Sequence, residues 1–162
     1  MKASGIFIDT SNLYYCVGKK FPARKLDYQR YYEIAAKDDV VVRAVAYGSQ
    51  MNDEASKFIA CLKHYGYDPK YKTLKINSDT GKTRRFSWNV GIAVDIMMSI
   101  DKLDRVVIGS SDADLLPLVK YLKDRGCVVE IIACGISKEL KDAADEYTEI
   151  TEEQLEDLVV QE

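Results

Sequence analysis

Short runs of aliphatic and β-branched residues recur along the chain, and the stretches between them carry apolar residues at helical spacing. Ile6-Phe7-Ile8, Val40 to Ala46, Val106-Val107-Ile108 and Cys127 to Ala133 have the length and composition of buried strands. Leu26 to Lys37, Asp53 to Tyr65, Val90 to Ile100 and Leu115 to Lys123 have the period of helices, the last ending before Gly126. Strands without polar alternation belong to a sheet covered on both faces, and strand–helix–strand repetition joins parallel strands by right-handed crossovers. The pattern predicts a single-domain α/β fold, a three-layer sandwich with a mainly parallel central sheet. Tyr71 to Ile76 is expected as a further strand, followed by a basic loop whose Asn77-Ser78-Asp79-Thr80-Gly81-Lys82 has turn chemistry.

A chain of 162 residues is long enough to bury its own core, and 47% apolar with 30% charged residues is a globular composition. No apolar run nears the roughly 20 residues of a membrane span, and the start lacks the pattern of a signal peptide. A cytoplasmic protein is expected. Cys16, Cys61, Cys127 and Cys134 form no CxxC pair and His64 is the single histidine, so no Cys/His zinc pattern exists. The net charge of −3 hides an asymmetry: residues 70–88 hold six bases against the one acid Asp79. Residues 151–162 are acidic without a base, and Leu155, Leu158 and Val159 keep helical spacing, which predicts an acidic C-terminal helix on or trailing a domain of residues 1–150.

Chemistry concentrates where strands end. In open parallel sheets ligands bind beyond the carboxyl ends of the strands, at the point where strand order reverses. Asp9 follows the first apolar run directly, and Asp112 and Asp114 follow Val106-Val107-Ile108 after Gly109-Ser110-Ser111. Carboxylates gathered on one rim need a cation, a shared proton or solvent, and hard oxygen donors suit Mg²⁺ or Mn²⁺. Helix capping accounts for the same residue types at the same places. Asp95 lies inside an apolar helical stretch, with Gly91 and Ser99 four residues to either side. That stripe faces either an ion or solvent. Lys82, Arg84 and Arg85 alternate with Phe86 and Trp88, a pairing of cations and rings that suits single-stranded nucleic acid and equally suits a solvated hairpin with Trp88 packed inside.

Ile6-Phe7-Ile8-Asp9-Thr10-Ser11-Asn12-Leu13, the helix bearing Asp95, and Val107-Ile108-Gly109-Ser110-Ser111-Asp112-Ala113-Asp114-Leu115 together resemble the NYN domain family, in its LabA-like branch. The resemblance runs through Gly126 to Val129 and Leu140 to Tyr147. It implies a PIN-like, Rossmann-like nuclease fold and metal-dependent hydrolysis of RNA phosphodiester bonds. Asp9, Asp95, Asp112 and Asp114 are then the catalytic acids, with Asp9, Asp95 and Asp112 holding Mg²⁺ or Mn²⁺. Asn12, which matches the family's first-motif asparagine, is expected on the substrate side with Ser110, Ser111, Lys82, Arg84 and Arg85. The implied partner is RNA, read as single-stranded; no membrane is involved, and a homodimer is compatible with the sequence.

Three departures stand out. The family's Ser-Gly-Asp-Ser-Asp-Phe reads Ser110-Ser111-Asp112-Ala113-Asp114-Leu115, keeping both acids. The family's Lys-Gly-Val-Asp before the helix reads Phe86-Ser87-Trp88-Asn89, which loses a lysine and turns an aspartate into Asn89. Thr10 stands where glycine is common. The alternative is therefore a weakly active or inactive RNA-binding or regulatory protein that keeps the acidic pocket.

Overall fold

A computed structural model describes residues 1–82 and 86–158. In chain order the elements are β1 (Ala3–Asp9), α1 (Thr10–Lys20), α2 (Tyr28–Ala36), β2 (Val40–Met51), α3 (Ser56–His64), β3 (Asp68–Leu74), α4 (Asn89–Ser99), β4 (Arg105–Gly109), α5 (Leu116–Asp124), β5 (Val128–Ala133), α6 (Lys138–Ala143) and β6 (Glu146–Glu149). All six strands are parallel, in the order β3-β2-β1-β4-β5-β6. The α/β architecture read from the sequence is thus present, with a sheet that is wholly parallel.

β1 explains why its run is apolar throughout. It lies between β2 and β4, with Ile8 opposite both Ala46 and Gly109, and Ile6, Phe7 and Ile8 are all fully buried. Gly109 ends β4 under strict demand for space: a Cβ there would lie 2.6 Å from both Ile8 Cγ2 and the Tyr31 hydroxyl oxygen. The chain leaves β1 for β2 on one side, and β4 lies on the other. The gap between the carboxyl ends of β1 and β4 is therefore where strand order reverses.

The differences from expectation have local causes. The third strand starts earlier than Tyr71, because residues 68–74 continue the register on β2 from Val45↔Asp68 to Met51↔Leu74. The second helix starts at Tyr28, since Asp27 Oδ1 accepts from the amides of Gln29 and Arg30 at 3.0 Å and caps it. The expected C-terminal helix does not form over 151–158. Glu152–Gln154 makes a single 3-10 turn behind Thr151, and Leu155, fully buried, pairs antiparallel with Leu26. One helical turn was traded for burial of Leu155 and the bonds from Asp27 N to Gln154 O and from Glu156 N to Lys25 O, each 2.8 Å. Among the described residues no helix is long and apolar enough to cross a membrane.

Candidate metal centre

Asp9 is the last residue of β1 and the N-cap of α1: its Oδ1 accepts from the Asn12 amide at 3.1 Å. Its hydroxyl-bearing neighbour Thr10 is buried, donates to Tyr47 O at 2.8 Å and meets the Tyr71 hydroxyl at 2.8 Å. Thr10 therefore ties the end of β1 to β2 and β3. Gly48 makes this fit, since a Cβ there would lie 2.6 Å from Thr10 Oγ1.

The loop after β4 supplies the facing wall. Asp112 caps the 3-10 turn Ala113–Leu115, with Oδ1 accepting from Asp114 N at 2.9 Å. Ser110, buried, accepts from Asp112 N at 3.2 Å. Asn12 reaches across from α1, and its Oδ1 accepts from both the amide (3.0 Å) and the hydroxyl (3.2 Å) of Ser111. Asn12 and Ser111 thus clasp the start of α1 to the loop after β4, while Ser110 braces that loop from within. Asp114 is exposed at the edge of this clasp.

Asp9 and Asp112, at the ends of β1 and β4, lie near enough for the charge of one to act on the other. Burial pushes the Asp9 carboxyl above its ordinary value, its bonds from the amides of Asn12 and Ser11 pull the other way, and the charge of Asp112 adds to the rise. Among the described residues neither acid takes part in a salt bridge. The neutral partner is Asn89, at the start of α4, whose Nδ2 donates to Asp112 Oδ2 at 2.9 Å. Asn89 was noted in the sequence only as a lost aspartate. Its place in the altered Phe86 to Asn89 segment was the available signal for its role.

Asp95 stands elsewhere. Its Oδ2 accepts from the Tyr47 hydroxyl at 2.7 Å and pairs with Lys70 Nζ at 2.8 Å, and Arg43 lies 3.8 Å from Oδ1. Burial raises its carboxyl, but Lys70, Tyr47 and Arg43 outweigh that and hold it below the ordinary value. The stripe beside it is filled by protein. A Cβ on Gly91 would lie 2.9 Å from Trp88, and Ser99 Oγ donates to Asp95 O and accepts from Arg43. Among the described residues no three acidic, cysteine or histidine side chains are grouped so as to hold a metal ion.

Of the expected cationic and aromatic segment, Lys82 lies in the exposed turn that Asn77 closes, and Arg84 and Arg85 fall outside the described residues. Trp88 is half-buried, donating from Nε1 to Gly48 O at 2.8 Å against the Tyr47 ring. Phe86 stands edge-on to it with Lys72 Nζ 3.9 Å from its centroid.

The fit of a divalent ion rests on this donor set. Two neighbouring strand-end carboxylates and one amide, both acids only half-buried, suit a single Mg²⁺ or Mn²⁺, which keeps several waters and takes one or two protein carboxylates plus phosphate oxygens. They do not make an all-protein cage for two ions.

Residues 3–151 match the family model described as the NYN domain. The chain is 24% identical over 159 residues to the low amplitude and bright protein LabA of Synechococcus elongatus (strain ATCC 33912 / PCC 7942 / FACHB-805), covering 91% of this chain and 83% of that protein. The crystal structure of VPA0982, a protein of unknown function from Vibrio parahaemolyticus RIMD 2210633, superposes with a TM-score of 0.84 at 27% identity, over 95% of this chain and 96% of that one. With all but its two ends inside the family match, and with the same fold in a solved relative, this chain belongs to the NYN domain family, whose members are generally nucleases.

Proposed function

We propose that the chain is a metal-dependent ribonuclease in which Asp9 and Asp112 hold one Mg²⁺ or Mn²⁺ and single-stranded RNA is hydrolysed at the rim between β1 and β4. The observation that carries this is the uncompensated pair itself: two carboxylates, one of them raised by burial and by the other's charge, at the switch point of a parallel sheet. When bound, the ion would polarise a phosphate oxygen and acidify a water.

The chain's own part is positional. Asn89 and the Asp114 amide fix the two oxygens of Asp112, the Asn12 amide fixes Asp9, and the Asn12–Ser111 clasp sets the spacing between the two loops. Asp114 stands exposed beside the pair as a further acceptor for metal-bound solvent or a released proton. Asp95, held by Lys70, supports the β2–α4 side of the site rather than the ion. The cytoplasm suits this reading, since four unpaired thiols persist in a reducing compartment.

The test is cleavage of an RNA oligomer with Mg²⁺ or Mn²⁺ by wild type beside Asp9→Asn and Asp112→Asn. A loss of at least about 100-fold in both is expected; undiminished cleavage in either would remove the pair from the reaction. One observation favours a second reading, RNA binding without turnover: Asn89 puts a neutral amide where the family resemblance places an acid, and Asp95 does not replace it. Retained RNA binding with no cleavage at any metal concentration is its signature.

A further inference from the structure

Beside the acidic pair, on the other flank of α1, lies a cavity of about 460 Å³ that the proposed hydrolysis does not use. This lies within the roughly 300–1,000 Å³ of small-ligand pockets. Its walls are aromatic. Tyr28 and Phe58 stand edge-to-face at 5.1 Å, Phe58 and Tyr71 at 6.4 Å, and Tyr14 lines the cavity while 76% exposed. Arg24 and Lys25 also line it, and among the described residues neither is in a salt bridge. The C-terminal segment contributes Glu156, held by the bond from its amide to Lys25 O and by that from Arg24 Nη2 to its carbonyl at 3.1 Å.

The cavity begins next to Asp9 in the chain. Thr10 and Ser11, the two residues after Asp9, line it, and Thr10 Oγ1 touches the Tyr71 hydroxyl. The charge of Asp9 is among the causes that raise both the Tyr28 and the Tyr71 hydroxyls, after burial. The chain from Tyr14 to Lys25 carries Lys19, Lys20, Arg24 and Lys25 and no acid, with Tyr14 and Tyr15 exposed on the same helix. A flat ring would pack against the aromatic wall, and the phosphate attached to it would meet cations on one side and the acidic pair's ion on the other. The lining holds two cations, Arg24 and Lys25, against the one acid Glu156, whose bonds to both run through its backbone, so an aliphatic ligand would use the wall and leave the excess positive charge unmatched.

We infer that this cavity is a base-binding subsite, taking a nucleobase of the RNA strand next to the phosphate that would be cleaved at the Asp9 and Asp112 rim, with Arg24 and Lys25 on the neighbouring phosphate. This deepens the proposed ribonuclease reading and rests on it for the strand's direction toward the acidic pair. Stacking of a base on an aromatic side chain is worth roughly 1–3 kcal/mol, about 5- to 150-fold in affinity.

Binding is measured without metal, so that no turnover intervenes, using adenosine 5′-monophosphate, ribose 5-phosphate and hexaadenylate. The nucleotide should bind at least tenfold more tightly than the base-free sugar phosphate, and hexaadenylate at least tenfold more tightly than the nucleotide. Tyr14→Ala, at an exposed position that does not endanger folding, should weaken the nucleotide about fivefold and leave ribose 5-phosphate unchanged. Ala55→Trp, which fills the cavity, should do the same more strongly. Equal binding of nucleotide and base-free compound, or equal loss of both in Tyr14→Ala, overturns the subsite. Equal binding of hexaadenylate and nucleotide overturns its assignment to an RNA strand in favour of a free nucleotide. These outcomes are separable from those of the reaction: base discrimination without RNA cleavage defeats the ribonuclease and keeps the subsite, and cleavage without base discrimination does the reverse.

Discussion

The two ends of the sheet treat buried acids in opposite ways. At the amino ends of the strands Arg105, 3% exposed, meets Glu130, also 3% exposed, and lies 3.3 Å from Asp39, while Lys37 pairs with Glu130 at 3.1 Å and Glu146 at 2.8 Å. At the carboxyl ends the charge of Asp112 acts on Asp9, and the side-chain partner of Asp112 is the neutral Asn89 amide. Burial pushes Asp39 up, but Ser4 and Arg105 hold its carboxyl below the ordinary value; Asp9 is held above it. Charges that are answered within the chain serve the fold. A pair that is left unanswered costs stability, and the proposed ion would compensate it.

The largest effect should come from breaking the answered end. Glu130→Ala leaves the Arg105 guanidinium buried beside only Asp39, so denaturant unfolding should show a loss of about 3–5 kcal/mol. Asp95→Ala, which strips Lys70 and Tyr47 of their acceptor, should cost about 2 kcal/mol and leave Mn²⁺ affinity unchanged. If Mn²⁺ binding falls with it, Asp95 belongs to the open end after all. Asn89→Asp supplies a third carboxylate and should tighten Mn²⁺ about tenfold, read by calorimetry; weaker binding would show that the amide was the better partner for Asp112. The smallest effect is Asp9→Asn in the metal-free chain, a gain of about 0.5 kcal/mol at neutral pH.

The pH dependence carries the same contrast. Asp9, raised in the folded state, adds stability that is fully present below its unfolded pKa and is lost as pH rises through its folded value. Asp39, Asp95 and Glu146 are lowered, Glu146 through its hydrogen bond and charge pairing with Lys37, so their contribution is present above their unfolded values and lost as pH falls. Metal-free Asp9→Asn should therefore lose stability more steeply toward acid than wild type, since only the second set remains.

What could be read from the sequence was local. Ile6-Phe7-Ile8-Asp9 carries its own strand, its own end and its own cap, and the Gly109 to Asp114 turn does likewise. Asp95 was not readable, because the side of α4 it occupies depends on Trp88 seating on Gly48 and on Lys70 arriving from β3. Neither contact leaves a periodic trace. The terminal segment misled for a related reason: Leu155 and Leu158 keep helical spacing, yet Leu155 gains more by pairing with Leu26 in a strand geometry.

The uncompensated pair is tested most directly by titrating Mn²⁺ into the metal-free protein, followed by its paramagnetic resonance signal, for wild type, Asp9→Asn, Asp112→Asn and Asp95→Asn. One ion should bind per chain in wild type and in Asp95→Asn and should be lost in the other two. Binding that survives both Asp9→Asn and Asp112→Asn, or no binding at millimolar Mn²⁺ in wild type, would contradict the account.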